Sequence, residues 1–394
     1  AQRHGKSAAD FVDWKFFKDY GLERISLDCM VSSHCDADHY GGLWDLVNPE
    51  GRDELDCKEE VSIGHYYHPG VAWWKKPGGK KFAGATTRGY ITDLIEGVTS
   101  VEAGLKAGAA HGLAGDWAEF LQCLVNMKVP MARLSYKPVK GIGFLPGFDD
   151  PSGVAVRILG PVESNVDGKP VLKDFGDDSQ NTNGNSLVFR IDYGRTRVLV
   201  AGDLNKASQQ YLLDEHMGNR LEFAADVFKS CHHGSDDCSF EFLETVHASA
   251  SIISSGDDES HSHPRPNIVA ASGATGFRKI ENDEMVTPLI YCTEISRSYR
   301  LADPYEIDYK GYPLNDKIVD IKLLDEDKTE IWFNRITSPG LNPSKNKKPM
   351  KGVYIIDGIV YGLVNVRTDG NTILCATLNE GKSKWEIKKF RSRF

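Results

Sequence analysis

Residues 33–43 read SHCDADHYGGL, and they place four metal-ligand side chains within six positions: His34, Asp36, Asp38 and His39. In an extended loop alternate side chains point the same way, so His34, Asp36 and Asp38 can converge. His39, at the start of a predicted helix, turns toward the other side. Such a loop can serve two ions, one through His34 and Asp36 and the other through Asp38 and His39. Imidazole and carboxylate ligands suit zinc, manganese or iron.

The segments on either side of this loop predict its place in an α/β fold. Residues 25–31 form an apolar run typical of a short buried strand that leads into the loop. After Gly41 and Gly42, residues 43–47 indicate the start of a helix. The ligand cluster therefore lies at a strand-to-helix turn, at the edge of the sheet where α/β proteins usually place their chemistry.

Further His and Asp side chains follow predicted strands downstream. Asp203 comes after the apolar run 198–201, where a carboxylate without a partner could bridge two ions. His232 and His233 follow another strand within the sequence HHGS, and His263 follows a third. Solvated turns rarely produce three such clusters at successive strand ends. We therefore predict a metal site that joins these residues to the 34–39 loop.

The chain of 394 residues is long enough for one large domain and a smaller one. Strands and helices alternate between residues 150 and 255, with a hairpin turn at 192–195 and a helix at 240–246, as in an α/β layer structure. Residues 50–150 do not follow this alternation, and they indicate an insertion with helices near 91–106 and 114–127. Short strands dominate beyond residue 310, with a loop or linker at 340–351. We predict a main domain over residues 1–305 and a small β-rich C-terminal appendage over 306–394.

The order of these motifs resembles the metallo-β-lactamase superfamily. The first motif has the form H-x-D-x-D-H, and NSL at 185–187, AGD at 201–203, HHGS at 232–235, SG at 255–256 and HP at 263–264 follow it. This set is similar to the hydrolase domain of the competence protein ComEC and its stand-alone relatives. It covers about residues 20–300, interrupted by 50–150. The resemblance implies an αββα sandwich with the metal centre at one edge of its two sheets.

The resemblance also implies roles for individual residues. Asp203 would bridge two divalent ions, for which zinc is the first expectation and manganese the alternative, and either histidine of the 232–233 pair would complete the second site. Asn185 stands where commoner members have a metal-binding histidine. The implied metal ligands are His34, Asp36, Asp38, His39, Asp203 and His233. The implied catalytic groups are Asp38, His232 and His233, and the implied substrate contacts are Asn185, Ser235 and His263.

Composition and charge bear on whether the protein binds nucleic acid or a membrane, and on its compartment. The net charge of −9 argues against sequence-independent coating of nucleic acid. A local basic patch at 73–82 combines aromatic residues with four lysines and could stack bases and hold phosphates, or its tryptophans could pack on the domain. The sequence has no apolar run of about 18 residues, so no membrane span is expected. Eight scattered cysteines favour reduced thiols in the cytoplasm, although the start at Ala1 leaves removal of a signal peptide open.

The expected activity is hydrolysis by a metal-activated water, on a phosphodiester or nucleic acid in the first instance. Hydrolysis of a small ester, lactone or lactam is a second hypothesis. A third is a scaffold that holds metal without catalysis. The oligomeric state is left open by the sequence.

Overall fold

A computed structural model describes residues 7–57, 59–76, 78–106, 112–255, 263–293, 363–379 and 384–394, and the backbone of four strands between 307 and 350. Within these residues the α-helices are α1 Ala8–Trp14, α2 Ala37–Val47, α3 Pro49–Arg52, α4 Val98–Leu105, α5 Gly115–Asn126, α6 Asp178–Gly184, α7 Lys206–Glu215, α8 Phe240–Val246 and α9 Pro266–Thr275. The fold is mixed α/β, with several sheets.

The strands, in chain order, are β1 Ile25–Val31, β2 Val61–His68, β3 Trp74–Lys75, β4 Lys81–Phe82, β5 Thr86–Thr87, β6 Tyr90–Ile91, β7 Gly112–Leu113, β8 Met131–Arg133, β9 Gly143–Asp149, β10 Val154–Gly160, β11 Glu163–Val166, β12 Lys169–Lys173, β13 Val188–Tyr193, β14 Thr196–Val200, β15 Val227–Lys229, β16 Ala250–Ile253, β17 Lys279–Glu281, β18 Glu284–Thr287, β19 Leu289–Cys292, β20 Ile307–Tyr309, β21 Tyr312–Pro313, β22 Thr329–Asn334, β23 Lys345–Met350, β24 Val364–Thr368, β25 Thr372–Asn379 and β26 Lys384–Arg391. Two sheets position the site.

The smaller of these two sheets is parallel, in the order β1-β2-β8. One of its faces is covered by α2 and α5, where Tyr66 of β2 packs with Tyr40, Trp117 and Phe120. Residues 50–150, expected as an insertion, therefore supply two strands and a packed helix to this layer. The strands bury one face because the apolar aromatic side chains of α2 and α5 remove it from water.

The larger sheet has seven strands, in the order β19-β16-β15-β14-β13-β10-β9. The strands from β14 to β19 run parallel, and the hairpin at 192–195 joins β13 to β14 as the sequence predicts. Side chains of α7 and α8 pack on one face around Leu199 and Phe228. On the opposite face, Val156 and Ile158 pack with Tyr67 and Leu134 beside the smaller sheet.

The C-terminal sheet β24-β25-β26 packs against the larger sheet. Ile373, Cys375 and Phe390 form a buried cluster with Val227 and Ala250. At the end of the chain, the Ser392 hydroxyl donates to the buried carboxylate of Asp226 over 2.9 Å. Residues 363–379 and 384–394 of the expected appendage therefore share a core with β15 and β16.

Three elements differ from the sequence prediction. The helix expected near 91–106 is confined to α4 Val98–Leu105, and residues 90–91 form β6. Helix α2 begins at Ala37 rather than after Gly42, so Asp38 and His39 lie in its first turn. A Cβ at Gly42 would lie 2.9 Å from the Cβ of Ala8, so this glycine allows α1 to approach rather than marking a helix start. The predicted loop at 340–351 contains β23, which pairs with β22. Among the described helices, none has the length and apolar character needed to cross a bilayer.

His68, at the end of β2, is fully buried, and neither ring nitrogen has a hydrogen-bond partner among the described residues. Burial, with a contribution from the charge of Arg133, lowers the pKa of His68 to about 3. An unfolded histidine has a pKa of about 6.5. The unfolded state therefore binds the extra proton first, and stability contributed by neutral His68 is lost as the pH falls from about 6.5 toward 3.

We expect His68→Leu to reduce the acid sensitivity of the metal-free protein. Its melting temperature should change less between pH 7 and pH 5 than that of the wild type, because no buried imidazole must be protonated on unfolding. Thermal denaturation at the two pH values measures this. His65→Leu, at an exposed position on the same strand, is the control and should keep the wild-type difference. An unchanged pH dependence in His68→Leu would contradict the assignment.

Candidate metal centre

Four predicted ligands meet at the carboxyl edge of the parallel strands: Asp38, His39, Asp203 and His233. Asp38 and His39 come from the first turn of α2, Asp203 follows β14, and His233 follows β15. Their ligand atoms all lie within 4.8 Å of one another. Asp203 is 2% exposed, whereas more than half of the Asp38 side chain is exposed, so the cluster is closed on one side and open on the other.

Several distances between potential ligand atoms of these four residues are close to those around one tetrahedral ion. The Nε2 atoms of His39 and His233 are 3.2 Å apart. They lie 3.1 Å and 3.2 Å from the two carboxylate oxygens of Asp203. Asp38 Oδ2 is 3.0 Å from His233 Nε2 and 3.6 Å from His39 Nε2. Zinc bonds of about 2.0–2.1 Å in tetrahedral geometry separate ligand atoms by about 3.3 Å, so these residues fit the ion.

The other ring nitrogens of these histidines have partners that orient them. His233 Nδ1 lies 2.8 Å from the Ser254 carbonyl oxygen, to which it donates. His39 Nδ1 lies 2.8 Å from the Ser33 hydroxyl. Such contacts fix the tautomer and leave Nε2 for a metal, as is usual for metal-binding histidines.

Burial and ion pairing set the charges of the cluster. Burial opposes ionisation of Asp203, but hydrogen bonds from His233 and His39 hold its pKa well below the usual range. Burial likewise opposes ionisation of Asp38, whose pKa is nevertheless lowered by its hydrogen bond with His233. Burial would lower the pKa of His233, yet its bonds to Asp203 and Asp38 raise it to about 10. Both carboxylates are thus ionised at neutral pH, as metal ligands must be, whereas His233 must release a proton from Nε2 to bind an ion.

His34 and Asp36 form a separate pair beside this cluster, with His34 Nε2 3.6 Å from Asp36 Oδ2. Asp36 stands at the N-cap of α2 but makes no side-chain capping bond. Its two oxygens instead accept hydrogen bonds from the Trp73 indole over 3.0 Å and from the Thr182 hydroxyl over 3.3 Å. Burial, with the charge of Asp38, raises the pKa of Asp36 to about 6. The His34–Asp36 pair offers two potential metal-ligand side chains, whereas the first cluster offers four.

The HHGS segment has an unusual backbone. His232, His233 and Gly234 all have positive φ, at 46°, 51° and 82°. This conformation is uncommon for residues other than glycine and typically accompanies a functional constraint. Here it turns His233 into the cluster, and His232 lies beside it. The ring of His232 packs 5.6 Å from that of His263, centre to centre.

The other predicted substrate contacts, Asn185 and Ser235, make hydrogen bonds with neighbouring residues. The Asn185 side chain is buried, and its amide donates to the carbonyl oxygens of Lys173 and Asn181 over 3.0 Å and 2.9 Å. The Ser235 hydroxyl accepts from the Asp237 backbone N–H over 3.2 Å. Both side chains thus take part in local hydrogen bonding.

The aromatic and basic segment at 73–82 borders the centre through Trp73. Trp74 and Phe82 are buried in the first core, so they pack on the domain. Four lysines of the segment are exposed: Lys75, Lys76, Lys80 and Lys81. The segment therefore offers charge near the centre, while its indoles serve packing and the hydrogen bond to Asp36.

Sequence reasoning missed Lys229, the last residue of β15. Its ammonium nitrogen is buried, lacks a hydrogen-bond partner among the described residues, and lies 3.7 Å from Asp203 Oδ1. Trp73 and Thr182 were also missed as partners of Asp36. For Lys229 the sequence did contain a signal, because a cation rarely ends a buried strand without an ionic partner.

Trp73→Phe should weaken metal binding and any metal-dependent activity, by about 10–100-fold as for other residues that orient a ligand. Phenylalanine retains the ring but loses the N–H that holds Asp36. Metal affinity measured by calorimetry checks this. The control is Trp74→Phe, because the Trp74 indole N–H has no partner among the described residues and should affect stability only. Equal metal affinities in both variants would contradict the role of Trp73.

Comparison with known proteins gives partial matches. No protein-family model matches the chain. ComE operon protein 3 of Bacillus subtilis (strain 168) is 29% identical over 115 residues, which are 29% of this chain and 14% of that protein. Competence protein ComA of Neisseria gonorrhoeae is 30% identical over 102 residues, which are 26% of this chain and 14% of that protein. Both similarities agree with a ComEC-like family. The matched regions span only a small part of either relative.

Proposed function

We propose that the chain is a metal-dependent hydrolase with a metallo-β-lactamase-type αββα sandwich, acting on a phosphodiester or nucleic-acid substrate. The observation that carries this proposal is the cluster of two carboxylates and two imidazoles whose ligand atoms lie within 4.8 Å of one another, beyond the carboxyl ends of the parallel strands. The order of layers supports it, because helices cover the outer face of each sheet and the two sheets pack together. The partial similarity to two competence proteins supports the ComEC-like assignment.

The proposed centre holds two divalent ions, zinc or manganese. Asp38, His39, Asp203 and His233 would hold the first, and His34 and Asp36 would contribute to the second, with Asp203 shared. Bound ions of this kind supply a water with a lowered pKa and polarise the bond under attack.

The chain's own groups then orient substrate and move protons. Asp38 is the most exposed member of the cluster and would accept a proton from a water that the bound ions activate. Lys229, 3.7 Å from Asp203, would offset the negative charge of that carboxylate. His232 and His263 pack together next to the cluster and offer imidazole contacts to the leaving group.

A phosphodiester is the substrate class that these surroundings favour. The exposed lysines of the 73–82 segment belong to the same hairpin as Trp73, whose indole contacts Asp36. Lysine ammonium groups near a metal centre bind phosphate oxygens as point charges. Because the protein carries a net charge of −9, this local cluster would supply the attraction for a polyanion.

The test is a substrate panel on protein reconstituted in turn with zinc and manganese. Bis-p-nitrophenyl phosphate, short single-stranded DNA, a lactone and nitrocefin are compared. We expect metal-dependent cleavage of the first two substrates. Lysine-to-glutamine changes at positions 75, 76, 80 and 81 should weaken DNA cleavage more than cleavage of the small diester. Turnover confined to the lactone or nitrocefin would replace the proposal with a carbonyl hydrolase, and metal binding without turnover would favour a scaffold.

A further inference from the structure

The C-terminal sheet β24-β25-β26 turns one face toward the larger sheet and the other outward. Ile373, Cys375 and Phe390 lie on the inner face, where they share a core with β15 and β16. Because side chains alternate along a strand, the residues between them lie on the outer face. The strand registers place the outer residues in four rows: Arg391 with Thr372, Arg367 with Leu374 and Lys389, Asn365 with Ala376 and Ile387, and Leu378 with Trp385.

The outer face carries three cations, Arg367, Lys389 and Arg391, and all three are exposed. No acidic residue belongs to the four rows. The two acidic residues of segments 363–379 and 384–394 lie elsewhere, Asp369 in the turn after β24 and Glu386 on the opposite face. None of the three cations has a carboxylate partner within the part of the chain that the structure describes. Their charge is therefore available to an anion from outside the chain.

This face contrasts with the rest of a protein whose net charge is −9. Other surface cations lie beside carboxylates, as Arg88 does 3.3 Å from Asp167. A groove of about 420 Å³ between β26 and the β17–β18 hairpin includes Lys389 and Arg391 in its wall. Glu281 also lines this groove, but its carboxylate is paired with Lys279 over 2.7 Å. The edge of the outer face is thus locally positive although the whole chain is acidic.

Apolar side chains occupy the other end of the outer face. Trp385 is 43% exposed and Ile387 is 52% exposed, although both belong to a strand whose inner face is partly buried. Leu378 pairs with Trp385 across the strands and extends the apolar area. An exposed indole beside cations without partners is the arrangement by which proteins hold single-stranded nucleic acid, since cations bind phosphates and aromatic rings stack on bases.

We propose that the outer face of the C-terminal sheet binds single-stranded nucleic acid. Arg367, Lys389 and Arg391 contact phosphates, and a base stacks on Trp385. The proposal rests on the proposed function, because it gives the same class of substrate a second binding surface, separate from the metal centre and from the lysines of segment 73–82. The recognition is independent of sequence, since phosphate contacts and stacking do not distinguish bases.

The test measures binding of fluorescein-labelled oligothymidine to the full chain by fluorescence anisotropy. A chelator is present, so that binding is measured without hydrolysis. We expect the wild type to bind at about 50 mM salt and to lose affinity as salt rises. Changing Arg367, Lys389 and Arg391 together to glutamine should reduce the slope of log K against log salt by about 2, because each phosphate contact on a single strand contributes about 0.7.

Trp385→Ala has a different expected signature. It should weaken binding by about 5- to 150-fold, the range for loss of one stacked base, and leave the salt slope unchanged. Trp385→Phe should recover most of the affinity, because it keeps an aromatic ring. Thermal melts that match the wild type show that these exposed changes leave the fold intact.

The matched control changes three exposed cations outside this sheet, Arg88, Lys140 and Lys169, to glutamine. It has the same net charge as the triple variant of the outer face and should keep more of the salt slope. Equal slopes in the two triple variants, or no binding by the wild type, would overturn the proposal. Binding to vesicles of anionic lipid without binding to the oligonucleotide would also overturn it and assign the face to a membrane. Because no hydrolysis is measured, failure of the substrate panel would be a separate result.

Discussion

Asp203→Asn should remove both tight metal binding and hydrolysis. Asp203 is buried, and its two oxygens lie 3.1 Å and 3.2 Å from the Nε2 atoms of His39 and His233. An amide at this position offers one neutral oxygen and would place N–H groups against the imidazoles. Loss of an outer-shell partner at a metal site costs about 10–100-fold, so loss of this shared ligand should exceed about a hundredfold in kcat/KM.

Metal content after dialysis and the rate with bis-p-nitrophenyl phosphate measure the effect of Asp203→Asn. Asp214→Asn is the matched control, because Asp214 lies on α7 in an exposed ion pair with Arg220. The control should retain its metal and its rate. A metal-loaded Asp203→Asn protein with the wild-type rate would contradict the assignment of this carboxylate.

The histidine pair at 232–233 gives the second large effect, because the structure brings only His233 into the four-residue cluster. His233→Gln should lose the tight ion and more than about a hundredfold in kcat/KM, since it removes a direct ligand. His232→Gln should keep the ion, because the His232 ring packs on His263 instead. The activity of His232→Gln should fall by less than that of His233→Gln, because only contacts between His232 and the substrate are lost.

Metal analysis and kinetics on the two glutamine variants measure this difference. They serve as matched controls for each other, because the residues are adjacent and both have positive φ. If His232→Gln lost the ion and His233→Gln kept it, the roles assigned to the two residues would have to be exchanged.

The sequence predicted the elements that carry the centre because their patterns are local. The apolar run of β1, the hairpin between β13 and β14 and helix α8 appear where the pattern places them. Asp38, His39, Asp203 and His233 converge because they follow the carboxyl ends of β1 in the smaller sheet and of β14 and β15 in the larger sheet. The sequence prediction placed the start of α2 too late, after Gly42. This glycine is needed because α1 approaches it closely, and it does not mark the start of the helix.

Other features depend on contacts between distant residues and could not be predicted from local patterns. The bond between Trp73 and Asp36 joins residues 37 positions apart. The packing of the C-terminal sheet on β15 and β16 is set by facing apolar surfaces rather than by the strands' own sequences. The Asn185 amide, expected to contact substrate, donates instead to the carbonyl oxygens of Lys173 and Asn181, and no local pattern shows these contacts.

The central claim is tested most directly by titrating zinc or manganese into the metal-free chain while measuring hydrolysis of bis-p-nitrophenyl phosphate in the same samples. The account predicts no turnover without metal, turnover that rises with bound ions, and neither binding nor turnover in Asp203→Asn. Turnover that is independent of bound metal, or equal in the wild type and Asp203→Asn, would contradict it.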